Sequence, residues 1–279
     1  MINILIPTDF SNNSWNAIKY GLAYFKNTEC IFFLMHVSLQ TYLFSGDVPL
    51  ISSVEGFDKE LVAKAKEELK KLLKRIKKID TSKKHKFYTI AAYNFFIDAV
   101  NNNIEENNID LIIMGTKGAS GFKEVIIGSN TADLITQVKC PVLVVPENAV
   151  FKTPKELAFP TDYNSTYEPE ILDNVAAIAT KFKSFIRVLY VGKKDEQLTN
   201  SQKDNKELLN YYFSEIKHSF HFITNKKIEQ GIQCFIESRD IDMIVMVAKN
   251  INLFQRIFLK PLVEEISYHT EIPFLVLHE

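Results

Sequence analysis

The sequence predicts an α/β protein made of two copies of one unit, each a parallel sheet covered by helices on both faces. Three observations predict it. Short continuous apolar runs alternate with helical stretches, which is how strands buried on both faces of a parallel sheet read. The same motifs return, in the same order, in the second part of the chain. The composition of 279 residues, 46% hydrophobic and 24% charged, is that of a globular chain with the length for two domains of roughly 100–200 residues each.

The first strand is "INILIP", entered directly after Met1. With no basic leader and no small-residue cleavage site, this start argues against a secretory signal. Next, "SNNSWNAIKYGLAYFKN" offers Ser11 as a helix cap and sets Trp15, Ile18, Leu22 and Phe25 at the spacing of a buried helical face. "CIFFLMHV" is the second strand. The segment "SLQTYLFSGDVPLISSVEG" after it reads as irregular, and its Tyr42, Leu43 and Phe44 suit either a lid or an interface. "FDKELVAKAKEELKKLLKRIKKI" is an amphipathic helix with Leu61, Ala65, Leu69, Leu72 and Ile76 on one face. Its lysines read as a solvated face, with a partner-binding surface as the alternative. "KFYTIAA", "LIIMG" and "PVLVVP" complete the strands of the first unit.

Three cysteines, Cys30, Cys140 and Cys234, are odd in number and sit beside apolar residues, the usage of buried free thiols in a reducing compartment. Lys and Arg number 33 against 34 Asp and Glu, which excludes a global attraction to nucleic acid or to an anionic membrane. No apolar run approaches the roughly 18 residues of a membrane span. A cytoplasmic protein is expected.

The repeat is explicit. "LIPTDFS" returns as "AFPTDYN", so that Pro7, Thr8 and Asp9 match Pro160, Thr161 and Asp162. "IFFLMHV" has its counterpart in "IRVLYVG". "IDLIIMGTKGASGFKEVIIGSNTADLI" aligns without a gap on "IDMIVMVAKNINLFQRIFLKPLVEEIS". The expected domains are residues 1–149 and 150–279, with the boundary near "PENAVFKTPK".

Four of the nine glycines, Gly115, Gly118, Gly121 and Gly128, fall in one loop after the strand "LIIMG". Neither G-x-x-x-x-G-K-[ST] nor an early G-x-G-x-x-G is present. Glycine at 115 and 118 frees the backbone to approach a ligand with its N–H groups turned into one concavity. Gly128 and Ser129 stand where a helix begins, and there unpaired N–H groups and the helix dipole favour an anion. Two such sets of donors suit a polyphosphate. A glycine-rich turn before a Ser-capped helix is the plainer alternative.

The spacing Gly115-x-x-Gly118-(nine residues)-Gly128-Ser129, the opening "IPTDFS", the "MHV" that ends the second strand and the closing "CPVLVVP" together resemble the universal stress protein family, in its tandem two-domain form. The resemblance covers the whole chain. It implies two flavodoxin-like (Rossmann-like) domains, each a parallel five-stranded sheet with helices on both faces, in a pseudo-twofold tandem. It also implies ATP or another adenine nucleotide, with Mg2+ as an optional companion, at the ends of strands one and four. Carried over by position, Asp9 contacts ribose or adenine, and Pro7 and Thr8 line the base. Val37 meets adenine through its backbone. Met114, Gly115, Lys117 and Gly118 wrap the phosphates, and Gly128, Ser129 and Asn130 reach them from the helix start. Each has a plainer alternative: Asp9 as a helix-capping carboxylate, Val37 and Met114 as core, Lys117 as a solvated charge.

The second copy puts Val247 where the first has Gly115, Asn250 at Gly118, Lys260-Pro261 at Gly128-Ser129, and Leu253 at Gly121. Valine disfavours positive φ and proline has no N–H, so the helix survives without its anion site. One nucleotide per chain is expected, in the first domain, with the degenerate second domain as its pseudo-twofold partner through an edge or last strand. Asp162 persists without the glycines, which assigns this aspartate a structural role as well. His218 and His221 in "HSFH" lack a third ligand and read as surface residues, not metal ligands. No catalytic set is assigned. The implied function is that of a regulatory or stress-response binding protein with an unidentified protein partner, as a pseudo-dimer within one chain or a homodimer of chains. The alternatives are a slow ATPase with water and metal at Ser129, and an interaction protein with a relic site.

Overall fold

The computed structural model describes residues 1–39, 42–45, 48–51, 57–116, 128–248 and 272–278. The first half runs β1 (Ile2–Pro7), α1 (Asn12–Tyr24), β2 (Cys30–Leu39), β3 (Tyr42–Ser45), β4 (Val48–Ile51), α2 (Phe57–Ile79), β5 (His85–Asn94), α3 (Phe96–Asn107), β6 (Leu111–Gly115), α4 (Ser129–Gln137) and β7 (Val142–Val145). The second runs β8 (Glu156–Pro160), α5 (Pro169–Phe182), β9 (Phe185–Gly192), α6 (Asn200–Tyr212), β10 (His218–Thr224), α7 (Ile228–Ser238), β11 (Met243–Val247) and β12 (Phe274–Leu277).

Ten strands form one sheet in the order β10-β9-β8-β11-β12-β7-β6-β1-β2-β5. Within each half every pairing is parallel. Each half thus has the doubly wound order 3-2-1-4-5, with the chain reversing its direction of travel beside β1 or β8. The halves join where β12 pairs antiparallel with β7, with Leu275 opposite Leu143. An antiparallel junction is what a twofold relation between equivalent strands requires.

Alternation along β1 explains the two core layers. Ile4 and Ile6 face one side with Ile18 of α1 and Leu69 of α2, and Leu5 faces the other with Val100 of α3 and Leu134 of α4. On α2, Ala65, Leu69, Leu72 and Ile76 are buried as the pattern expects. Ser11 caps α1, accepting from the Ser14 N–H at 3.2 Å.

Four expectations change. The segment read as irregular contains the antiparallel hairpin β3–β4; a strand this short carries too little period to be seen. Trp15 is only partly buried and lies at the core margin under the Arg75 guanidinium, 3.7 Å from the ring centroid. Cys234 is exposed, because it sits on the face of α7 opposite buried Ile232 and Phe235. Cys30 and Cys140 are buried, and burial raises their thiols to about 11 and about 12. Finally, Pro7 pairs with Met35 and Pro160 with Leu189, so the counterpart of "IRVLYVG" is "FFLMHVS", one residue on from "IFFLMHV". Both strands are apolar without a break, so either register satisfies their composition.

Candidate functional site

The turn after β1 is held by its own side chains. The Thr8 N–H continues the β1–β2 ladder to the Met35 carbonyl at 2.8 Å. Thr8 Oγ1 accepts from the Phe10 N–H at 3.1 Å and lies 3.0 Å from Ser14 Oγ. Asp9 Oδ1 accepts from the Ser11 N–H at 3.0 Å. Phe10 is left-handed at φ 64°, a conformation unfavourable for a bulky residue, and these bonds hold it there. Its ring stacks on His36 at 4.5 Å. His36 Nδ1 is 2.8 Å from the Thr8 carbonyl; a carbonyl only accepts, so Nδ1 carries the proton.

The second half repeats the turn. Thr161 Oγ1 accepts from the Tyr163 N–H at 3.0 Å, Asp162 Oδ1 accepts from the Asn164 N–H at 2.9 Å, and Tyr163 has φ 57°. Neither aspartate caps a helix. Ser11 caps α1, and the N-cap of α5 is Glu168, without a side-chain cap bond. The structural role expected of this aspartate is therefore to close an Asx turn, and the capping reading is corrected.

Opposite this turn, β6 runs into α4. Gly115 does not have positive φ; a Cβ there would lie 2.8 Å from Asn13 Oδ1 and 2.9 Å from Asn13 Cγ. What the glycine supplies is room for the buried side chain of Asn13 from α1, not an unusual dihedral, which corrects the reason first given for it. Thr131 Oγ1 donates to the Gly115 carbonyl at 2.9 Å, and the Gly128 N–H donates to the Thr116 carbonyl at 2.6 Å. The Gly128 N–H is thereby committed to the fold. Gly128 is the N-cap with no side-chain cap bond, and the exposed Ser129 and Asn130 that follow donate no backbone hydrogen bond to any described residue. Val247, at the Gly115 position, is buried in the core.

These parts meet in one cleft at the carboxyl ends of β1 and β6, where the strand order reverses. Pro7, Thr8, Asp9, Val37, Met114, Gly115, Gly128, Ser129 and Asn130 line it. Lys117 and Gly118, like Gly121, Asn250 and Lys260-Pro261, lie outside the described residues. Sequence reasoning missed Ser14, Met35, His36, Phe96 and Thr131, which also line the cleft. His36 was legible in "MHV"; Phe96 comes from the first turn of α3 and gave no signal. In the second half a separate polar cleft of about 460 Å3 lies toward the outer strands, between Asp162, Tyr190 and Asn225–Glu229.

His218 contacts the Ile216 carbonyl and Asn210 Oδ1, and His221 contacts Ser219 Oγ. Among the described residues no helix is long and apolar enough to cross a membrane.

The pattern of the Universal stress protein family matches residues 1–146. The chain is 34% identical over 152 residues to universal stress protein MJ0577 of Methanocaldococcus jannaschii, covering 51% of this chain and 93% of that one. It is 27% identical over 143 residues to universal stress protein YxiE of Bacillus subtilis, covering 51% and 97%. A solved universal stress protein from Archaeoglobus fulgidus aligns over 99% of this chain and 98% of its own, with a TM-score of 0.69 at 17% identity, a likeness of fold.

Proposed function

This chain belongs to the universal stress protein family, and from that premise we propose that it binds one adenine nucleotide, ATP or a close relative, in the cleft of its first half. The observation that carries the proposal is the pair of N–H groups of Ser129 and Asn130 at the start of α4, which donate to no described backbone group and line one cleft with the turn after β1. Such a helix start favours phosphate through its donors and its dipole. The backbone of Val37 and the turn residues Pro7 and Thr8 supply the base end. Lys117 and Gly118 belong to the same proposed site by their sequence positions.

The domains of this reading are 1–149, which binds, and 150–279, which partners it through β12 and β7. Its setting is cytoplasmic, and its role is regulatory: occupancy shifts the shape or the protein partners of the pseudo-dimer. Turnover is not part of the reading. Among the described residues the titratable groups that line the cleft are Asp9 and His36, and both already serve the turn. ATP titrated into the protein should saturate at one per chain, and the nucleotide should be recovered from protein denatured after gentle purification. Saturation at two per chain, or no binding at all, overturns the proposal.

A further inference from the structure

At the opposite end of the sheet from the nucleotide cleft, a groove of about 430 Å3 crosses the junction between the halves, within the range of roughly 300–1,000 Å3 of small-molecule sites. Its floor is apolar: Leu143 of β7 and Leu275 and Leu277 of β12. One wall is Tyr24 and Phe25 at the end of α1; the other is Ala177, Ile178 and Lys181 of α5.

The pseudo-twofold explains why the groove is open. Counted from their caps at Ser11 and Glu168, Tyr20 and Tyr24 of α1 correspond to Ala177 and Lys181 of α5. On the Tyr20 side, Phe151 from the linker fills the space, edge-on to Tyr20 at 5.4 Å and to Tyr24 at 6.0 Å. On the Ala177 side no described residue takes the part of Phe151. One linker joins two halves, so it covers one of two related positions.

The groove is also charged at one point. Lys181 Nζ lies 4.7, 4.5 and 5.1 Å from the ring centroids of Tyr24, Phe25 and Phe182. Lys181 is an exposed residue, and loss of hydration at its ammonium lowers its pKa. Among the described residues it has no carboxylate within ion-pair distance. Asp110, on the rim, accepts from the Asn3 N–H at 2.8 Å. An apolar floor with an unmatched ammonium at its margin complements one kind of ligand.

We propose that this groove binds a free amphiphilic carboxylate, its acyl chain along Leu143, Leu275 and Leu277 and its head group at Lys181. This does not rest on the nucleotide reading. The test is calorimetric titration of the full chain with dodecanoate and, separately, dodecyltrimethylammonium, both below micelle formation. The wild type should bind dodecanoate saturably and prefer it to the cation. Lys181→Glu should weaken dodecanoate by about tenfold, one step of about 1.4 kcal/mol, and reverse the preference. Ala177→Trp, at an exposed position, should fill the groove and abolish both, with the circular dichroism spectrum and Tm unchanged. Absent or non-saturable dodecanoate binding overturns the proposal, as does a preference unmoved by Lys181→Glu. So does sedimentation showing a wild-type dimer that Ala177→Trp converts to monomer, because a second copy would then be the occupant.

Discussion

Replacing Gly115 with alanine tests what this glycine is for. The added Cβ would lie 2.8 Å from Asn13 Oδ1, where ordinary contact begins at 3.4 Å, and Asn13 is 4% exposed, so its amide has little space into which to retreat. Overpacking of this kind costs about 1–3 kcal/mol, which for a chain of this size is a fall in Tm of roughly 2–12 °C. The same displacement strains the end of β6, whose last carbonyl ties down Thr131 of α4, so ATP affinity should fall as well. The decisive measurement is the double-mutant cycle. Asn13→Ala removes the atoms that clash, so Gly115→Ala should be nearly neutral in that background, a coupling of about 1–3 kcal/mol. Thermal unfolding of the four proteins gives the number. If Gly115→Ala is equally damaging with and without the asparagine, the packing argument is wrong and the glycine is needed for its backbone.

Ser129→Pro removes one N–H at the first position of α4, where proline is tolerated, as Pro169 is at the start of α5. Circular dichroism should be unchanged while ATP affinity drops roughly 10- to 100-fold, the worth of one hydrogen bond to a charged group; unchanged affinity removes this N–H from the site. Asp9→Asn keeps an oxygen for the Ser11 N–H but removes the charge, so stability should hold within about 0.5 kcal/mol, and any loss of nucleotide binding then reports ligand contact alone. Asp9→Ala should lower both. Burial lowers the pKa of His278, whose Nε2 is 2.8 Å from the Ile135 carbonyl, and of His221. A depressed folded pKa stabilises above the unfolded value of about 6.5 and is lost as pH falls through the folded one. Tm should therefore decline from pH 7.5 to 5.5, and His278→Gln should decline less; identical slopes would assign the acid sensitivity elsewhere.

The architecture was legible because its signals are long. Apolar strands at regular intervals and a 23-residue amphipathic α2 leave few competing readings, and the repeat of "PTD" marked the strand β8, the counterpart of β1. What sequence did not yield was local and three-dimensional. The reason for Gly115 is a side chain from α1, far away in sequence. Cys234 has apolar neighbours along the chain but points from α7 to solvent, since three positions in a helix outrank one. Phe96 reaches the cleft only because α3 packs back against β2, beside α4. The one-residue slip in aligning β2 with β9 was invisible to composition and decided by hydrogen bonds.

The comparison between the halves also redistributes the weight of the motif. The threonine, the aspartate and the left-handed aromatic after it form the same bonds in both copies, so their persistence reports the turn and cannot by itself report a ligand. The difference lies at the end of β6 and β11. Gly115 makes room for a polar side chain of α1 where Val247 fills the core, and α4 begins with a cap that has no side-chain bond and two N–H groups that donate to no described backbone group. A ligand held by the turn alone would have equal claim to either half. One that needs donors at a helix start is proposed for the first half alone, because the sequence of the second puts Pro261, which has no N–H, at the position of Ser129.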